Sequence, residues 1–137
     1  MPIDYRIDHQ RHLVVARVHG TVTDQDVFGY QREVWSRPEV AGYDELVDMT
    51  RVQEIGLPSA DRVRDLASLS ASMEHTPGGT KFAIVAAQDL AYGLGRMYQA
   101  YREMESRGTK QVGVFRTLAE AQAFLGVEGP LEPWDDA

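Results

Sequence analysis

The residues best suited to recognition or chemistry are few and scattered along the chain. Asp48 and Thr50 follow an apolar run, Leu46-Val47, that reads as a strand. In open α/β sheets ligand sites gather beyond the carboxyl ends of strands, so Asp48 can orient a partner group and Thr50 can donate a hydrogen bond. A simpler account has Asp48 accepting loop amides and Thr50 capping a turn. Tyr92, Arg96, Tyr98, Tyr101 and Arg102 concentrate aromatic and basic character in one segment. Tyr98 and Tyr101 share an apolar stripe and are expected in the core. Tyr92 and Arg96, four residues apart, adjoin each other on another helix face, which suits a dimer interface, a pocket rim or plain solvent exposure. Gly93 and Gly95 cost helix propensity, and close packing against a sheet or a second subunit is the physical reason for them.

Other chemistry is missing. Cysteine is absent, which excludes disulfides, thiol catalysis and Cys-based zinc, haem-thiolate or iron–sulfur sites. His9, His12, His19 and His75 form no HExxH or comparable constellation, so no metal is expected. Gly78-Gly79-Thr80-Lys81 lacks the spacing of a phosphate loop and precedes a strand instead of following one. There is no GxSxG elbow and no Rossmann fingerprint, so no cofactor is expected. The pairs Asp24/Asp26 and Asp135/Asp136 have ordinary helix-start and tail explanations.

The charge balance narrows the partners. Twenty-one acids face 14 bases in 137 residues, a formal charge of −7, and 12 of the bases are arginine. Such a domain repels polyanions, and no Lys/Arg cluster breaks that field, which disfavours nucleic acid and anionic membrane surfaces. No stretch reaches the 18 or so apolar residues of a membrane span. Met1-Pro2-Ile3-Asp4-Tyr5-Arg6 has neither the basic nor the apolar part of a secretion signal, so the expected location is the cytoplasm.

The elements that must position these residues follow from periodicity. Ile3 to Ile7 and Leu13 to Val18 read as a hairpin, ended by His19-Gly20-Thr21 with Gly20 free to adopt an unusual backbone angle. Thr23 caps a helix carrying Val27, Phe28, Gln31, Val34 and Trp35 on one stripe, closed by Arg37-Pro38. Tyr43 to Met49 is a third strand, and Thr50 to Pro58 reads as a connector. Ser59 caps a second helix over roughly 60–74, ended by Thr76-Pro77-Gly78-Gly79. Phe82 to Ala87 is a strand buried on both faces. A third helix runs to about Ser106, ended by Gly108, then a strand from Gln111 to Phe115. A capping box at Thr117-Leu118-Ala119-Glu120 opens a last helix ending near Leu125. The order ββαβαβαβα predicts an α/β domain over 1–125, with a mixed, mostly parallel five-stranded sheet and four helices. Residues 126–137 read as a loosely ordered acidic tail in which Leu131 or Trp134 can dock.

Three stretches carry a family likeness: Leu46-Val47-Asp48-Met49-Thr50-Arg51-Val52-Gln53-Glu54-Ile55 running on to Ser59, Tyr92-Gly93-Leu94-Gly95-Arg96-Met97-Tyr98, and Val114-Phe115-Arg116-Thr117-Leu118-Ala119-Glu120-Ala121. In this order and spacing the chain resembles the SpoIIAA-like branch of the STAS domain superfamily over about residues 3–125, and looks similar to small bacterial STAS/SEC14-like proteins. The resemblance implies a phosphorylatable serine at the start of the helix after the third strand. The matching place holds Gly56-Leu57-Pro58, and Pro58 has no hydroxyl, so the usual phospho-switch is lost. Ser59, one step later, can be phosphorylated, but a helix cap explains it with no further assumption.

Two functional expectations follow. The first is a non-enzymatic STAS-like domain acting through contacts with a protein partner or a second copy of itself, as a homodimer. The second is a binding module for a small apolar or lipid-like anion, held in a cavity lined by aromatic residues with Arg96 or Arg51 at its mouth. A packed core with no cavity counts against the second.

Overall fold

Alternating apolar residues in the first 23 positions build the founding hairpin. In the computed structural model, which describes residues 2–56, 59–74, 79–105 and 110–131, strand β1 (Ile3–Asp8) lies antiparallel to β2 (Leu13–Thr23), with Ile3 opposite Val18 and Asp8 opposite Leu13. Helix α1 (Asp24–Trp35) crosses to β3 (Asp44–Gly56), α2 (Ala60–Ser72) to β4 (Lys81–Val85), and α3 (Asp89–Met104) to β5 (Gln111–Phe115). Helix α4 (Leu118–Leu125) follows. The sheet order is β1-β2-β3-β4-β5, with every pair after the first parallel. The expected order ββαβαβαβα and mixed, mostly parallel sheet are therefore what the chain adopts.

The caps that open the helices are those the sequence advertises. Thr23 Oγ1 accepts from the Asp26 amide at 3.3 Å while the Asp26 carboxylate accepts from the Thr23 amide at 2.9 Å. Ser59 Oγ accepts from the Arg62 amide, and Thr117 Oγ1 from the Glu120 amide. Gly126 ends α4 in the left-handed region, φ 71°, where a side chain is strained. Helix α1 stops at Trp35, and Pro38 opens a short 3-10 turn (Pro38–Val40) instead of marking the helix end directly. Ser106, Gly108 and the break at Thr76-Pro77-Gly78 lie outside the described residues, as do Pro58 and Trp134.

The largest departure from expectation is the length of β2 and β3. His19-Gly20-Thr21 does not end β2, and Thr50 to Gly56 is strand, not connector. The two strands pair as far as Thr23 beside Gly56, with register shifts between Arg17 and His19 and between Gly20 and Thr21. Gly20, at φ 67°, sits in this irregularity. The polar composition of residues 50–54 hides a strand because only Val52 and Ile55 face inward, toward Val18, Val22 and Val27. Strand β4 pairs with β3 only from Glu45 to Asp48, so the β2–β3 ribbon runs on past it.

Crossovers of one hand between neighbouring strands bring α1, α2 and α3 to one face of the sheet. Helix α4 covers the other, where Ala121 and Leu125 pack on Leu13, Val15, Leu46, Ala83 and Val85. Val127 and Leu131 extend that second core, and Arg11 donates to the carbonyl oxygens of Glu128 and Pro130.

The two glycines of α3 prove to be different. A Cβ on Gly95 would lie 3.0 Å from Val114 Cγ1 and 3.5 Å from Ile84 Cγ2, whereas one on Gly93 meets nothing within 4 Å. Close packing against the sheet thus explains Gly95 alone. Gly93→Ala is expected to stabilise the protein by about 0.5–1 kcal/mol through helix propensity. Gly95→Ala gains the same propensity but crowds two buried branched side chains, and a net loss of about 1 kcal/mol is expected. Paired denaturant melts that moved both variants in one direction would contradict this assignment.

Candidate functional site

Between the sheet and its three covering helices lies a cavity of about 170 Å³. Its floor is the inner face of β2, β3 and β4, at Ala16, Val18, Val47, Met49, Phe82 and Ile84. Period-two alternation puts these side chains on one face, opposite the α4 core. Its roof comes from Val27 and Phe28 of α1, Val63 and Leu66 of α2, and Ala91, Leu94 and Gly95 of α3. The small residues at 16, 91 and 95 leave the space that larger ones would fill. Helices α2 and α3 pack together, whereas Val27, Met49, Ile55, Val63 and Leu66 remain only partly buried on the α1–α2 side.

The two ends of the cavity differ in chemistry. At the carboxyl ends of β2 and β3 the rim is Thr23, Asp24, Gly56, Ser59 and Arg62. Arg62 Nε donates to Asp24 Oδ2 at 2.6 Å, its Nη1 lies 3.5 Å from Asp65, and its guanidinium stacks 4.1 Å from the centre of the Phe28 ring. That contact holds the Asp24 carboxyl below its usual range. The rim arginine is thus tied to two carboxylates, and anion capture there requires breaking an existing pair.

The other end, where β3 begins, is lined by Tyr30, Gln31, Glu45 and Tyr98. Glu45 is 3% exposed. Its Oε2 accepts from Tyr30 Oη at 2.7 Å and from Trp35 Nε1 at 3.1 Å, while Lys110 Nζ stands 3.8 Å from Oε1. Lys110 Nζ also sits 4.0 Å from the centre of the Trp35 ring. A second ion pair lies alongside: Arg102 Nη2 donates to Glu74 Oε2 at 2.9 Å, and Glu74 Oε1 accepts from the Lys110 amide at 2.9 Å. Burial raises the Glu45 pKa, with Lys110 opposing it, and burial lowers that of Lys110, with Glu45 opposing it. Burial also pushes Tyr98 up to about 12 and Tyr30 well above its ordinary value.

Of the residues singled out in the sequence, Ser59, Gly95 and Tyr98 line this cavity, whereas Asp48, Thr50, Arg51, Tyr92 and Arg96 do not. Asp48 Oδ1 accepts from the amide and hydroxyl of Thr50, at 2.9 and 2.7 Å, in a local turn-like contact within β3. Arg51 and Arg96 are exposed and do not line the cavity, so neither stands at its mouth. Tyr92 faces Arg116, whose guanidinium lies 4.0 Å from the ring centre. Ser59 is the cap of α2 and contributes to the rim. Tyr98 is in the core as expected, with Tyr101 packed partly buried against it. Sequence reasoning missed Glu45, Lys110 and Glu74, and it grouped Arg102 with the aromatic and basic residues of one helix without foreseeing that it is buried, at 4% exposed. One signal was available: Gln31, the single polar residue on the α1 stripe, is buried beside the cavity. Among the described residues no group of His, Asp or Glu side chains is arranged to hold a metal ion, and no helix is long and apolar enough to cross a membrane.

A crystal structure from Shewanella loihica PV-4, of an uncharacterized protein from the DUF3478 family with a SpoIIAA-like fold, superposes on this chain with a TM-score of 0.57. The match covers 90% of this chain and 93% of that one. The fold is SpoIIAA-like. At 16% identity the likeness extends to the backbone arrangement alone. No family model matches the chain, and no curated protein is similar to it in sequence. Within the SpoIIAA-like fold, the cavity lies between the sheet and the helices that follow β2, β3 and β4.

Proposed function

We propose that this SpoIIAA-like domain is a binding module for a small apolar molecule, held between the sheet and helices α1, α2 and α3. The observation that carries the reading is the cavity of about 170 Å³, walled almost wholly by apolar side chains. Interiors pack to crystal-like density, and an engineered apolar cavity of about 150 Å³ takes up benzene. A void of this size in a 137-residue domain therefore costs stability unless something occupies it. Partly buried Val63 and Leu66 give a route in beside α2 without opening the sheet.

The anionic ligand expected from the sequence has less support than the apolar one, because Arg62 is already paired and Glu45 faces the other end. Contact with a protein partner or a second copy has no comparable observation behind it.

Toluene, titrated and followed by backbone amide NMR shifts, is expected to move resonances of Val47, Val63, Leu66 and Leu94 together. Val63→Trp, which pushes an indole into the space, is expected to weaken toluene binding at least ~10-fold while the fold persists. Shifts absent from these residues in the unaltered protein would refute the reading.

A further inference from the structure

At the end of the cavity away from the Arg62 rim, the buried side chains of Glu45 and Gln31 each keep an acceptor atom to which no described residue donates. A carboxylate offers about four lone-pair sites and a side-chain amide carbonyl two. Glu45 spends Oε2 on Tyr30 and Trp35. Its Oε1 has Lys110 Nζ at 3.8 Å, beyond hydrogen-bond range, and no described residue donates to it. Gln31 is 8% exposed; among the described residues its Nε2 donates to the thioether of Met73 at 3.7 Å and none donates to its Oε1. Buried polar groups are ordinarily satisfied, so two under-used acceptors at one end of an apolar cavity require an account.

We infer that this end receives a neutral hydroxyl on an otherwise apolar molecule, an alcohol or a phenol, which donates to Glu45 Oε1 or Gln31 Oε1. The inference rests on the binding reading above and names its ligand class. A hydroxyl suits the site because it brings the missing donor without bringing charge. A carboxylate brings only acceptors and a negative charge toward a buried glutamate. The neighbouring cation, Lys110, is already set against Glu45 and the Trp35 ring. An ammonium head would meet that same cation. The apolar remainder of the ligand lies along Val47, Phe82 and Leu66 toward the α1–α2 side.

Three probes sharing one frame test this with the unaltered protein near pH 7: toluene, p-cresol and 4-methylbenzoate. Titrations followed by amide NMR are expected to give p-cresol about tenfold tighter than toluene, the worth of one net hydrogen bond. 4-Methylbenzoate is expected to bind more weakly than either. Gln31→Leu and Glu45→Gln separate the two acceptors. Loss of the p-cresol preference in one of them, with toluene binding retained, identifies the acceptor. Equal affinities for toluene and p-cresol in the unaltered protein would overturn the hydroxyl assignment and leave the apolar reading intact. Binding of 4-methylbenzoate as tight as p-cresol would overturn it too. Failure of all three probes to bind would sink both.

Discussion

Replacing Lys110 by methionine is expected to lower the unfolding free energy by about 3–5 kcal/mol near neutral pH, and to do so far less in mild acid. Methionine keeps the apolar stem that lies against Trp35 but removes the charge opposite Glu45. Glu45 then remains a buried carboxylate whose own cation is gone. Burial already raises its pKa, and Lys110 is the largest influence holding it down. Without Lys110 that pKa rises further. An acid whose folded pKa exceeds its unfolded value loses stability as pH climbs from the unfolded value through the folded one. The penalty should therefore grow upward from about pH 4.5 and be smallest below it. The double variant Glu45→Gln/Lys110→Met should recover most of the loss, since no ion is then stranded. Urea unfolding of the unaltered protein and the two variants at pH 5 and pH 8 checks this. A single-variant loss of the same size at both pH values would show that Glu45 does not depend on Lys110.

Tyr98→Phe should produce the second largest effect, in alkaline solution. Tyr98 is 6% exposed, lies edge-on to Phe82 with ring centres 5.6 Å apart, and is hydrogen-bonded to Ser70. Burial raises its pKa from 10.0 to about 12. The unfolded chain ionises this phenol first, so the native protein loses stability as pH rises from 10 to 12. The loss from this one group reaches about 3 kcal/mol at the upper limit. Phenylalanine forfeits the Ser70 bond, at about 1 kcal/mol near neutrality, but abolishes that slope. The variant should thus be the less stable protein at pH 7 and the more stable one at pH 12. Denaturant titrations at the two pH values test the crossing, and parallel curves would rule it out.

Element types were legible because periodicity and capping report on local structure. Thr23, Ser59, Thr117 and Gly126 do at their helix ends what their chemistry dictates. The second half of β3 was not legible. Thr50-Arg51-Val52-Gln53-Glu54-Ile55 is half solvated, and its strand conformation depends on a partner, the bulged end of β2, that lies about thirty residues earlier in the chain. The cluster of buried charges beside the cavity was hidden for a similar reason. Glu45, Glu74, Arg102 and Lys110 come from four separate segments, and each alone looks like surface charge. Only Gln31 broke its local pattern. The cavity itself is a volume, set by small residues at 16, 91 and 95 acting together, and linear spacing carries no record of volume.

The sheet order has a consequence for how the chain acquires its shape. Each strand pairs with the one synthesised just before it, so every parallel step closes one crossover and no strand has to insert between two others. A mixed α/β topology of this kind is intermediate in contact order between helical bundles and all-β domains. The sheet can therefore grow strand by strand as the chain emerges, each new crossover helix covering the same face. The opposite face has no such running cover. Leu13, Val15, Leu46, Ala83 and Val85 stay open to water until Leu118–Leu125 has been made. The nascent protein should pass through a nearly complete but one-sided state, and a chain stalled before α4 should be the form most prone to aggregate and most avidly held by chaperones.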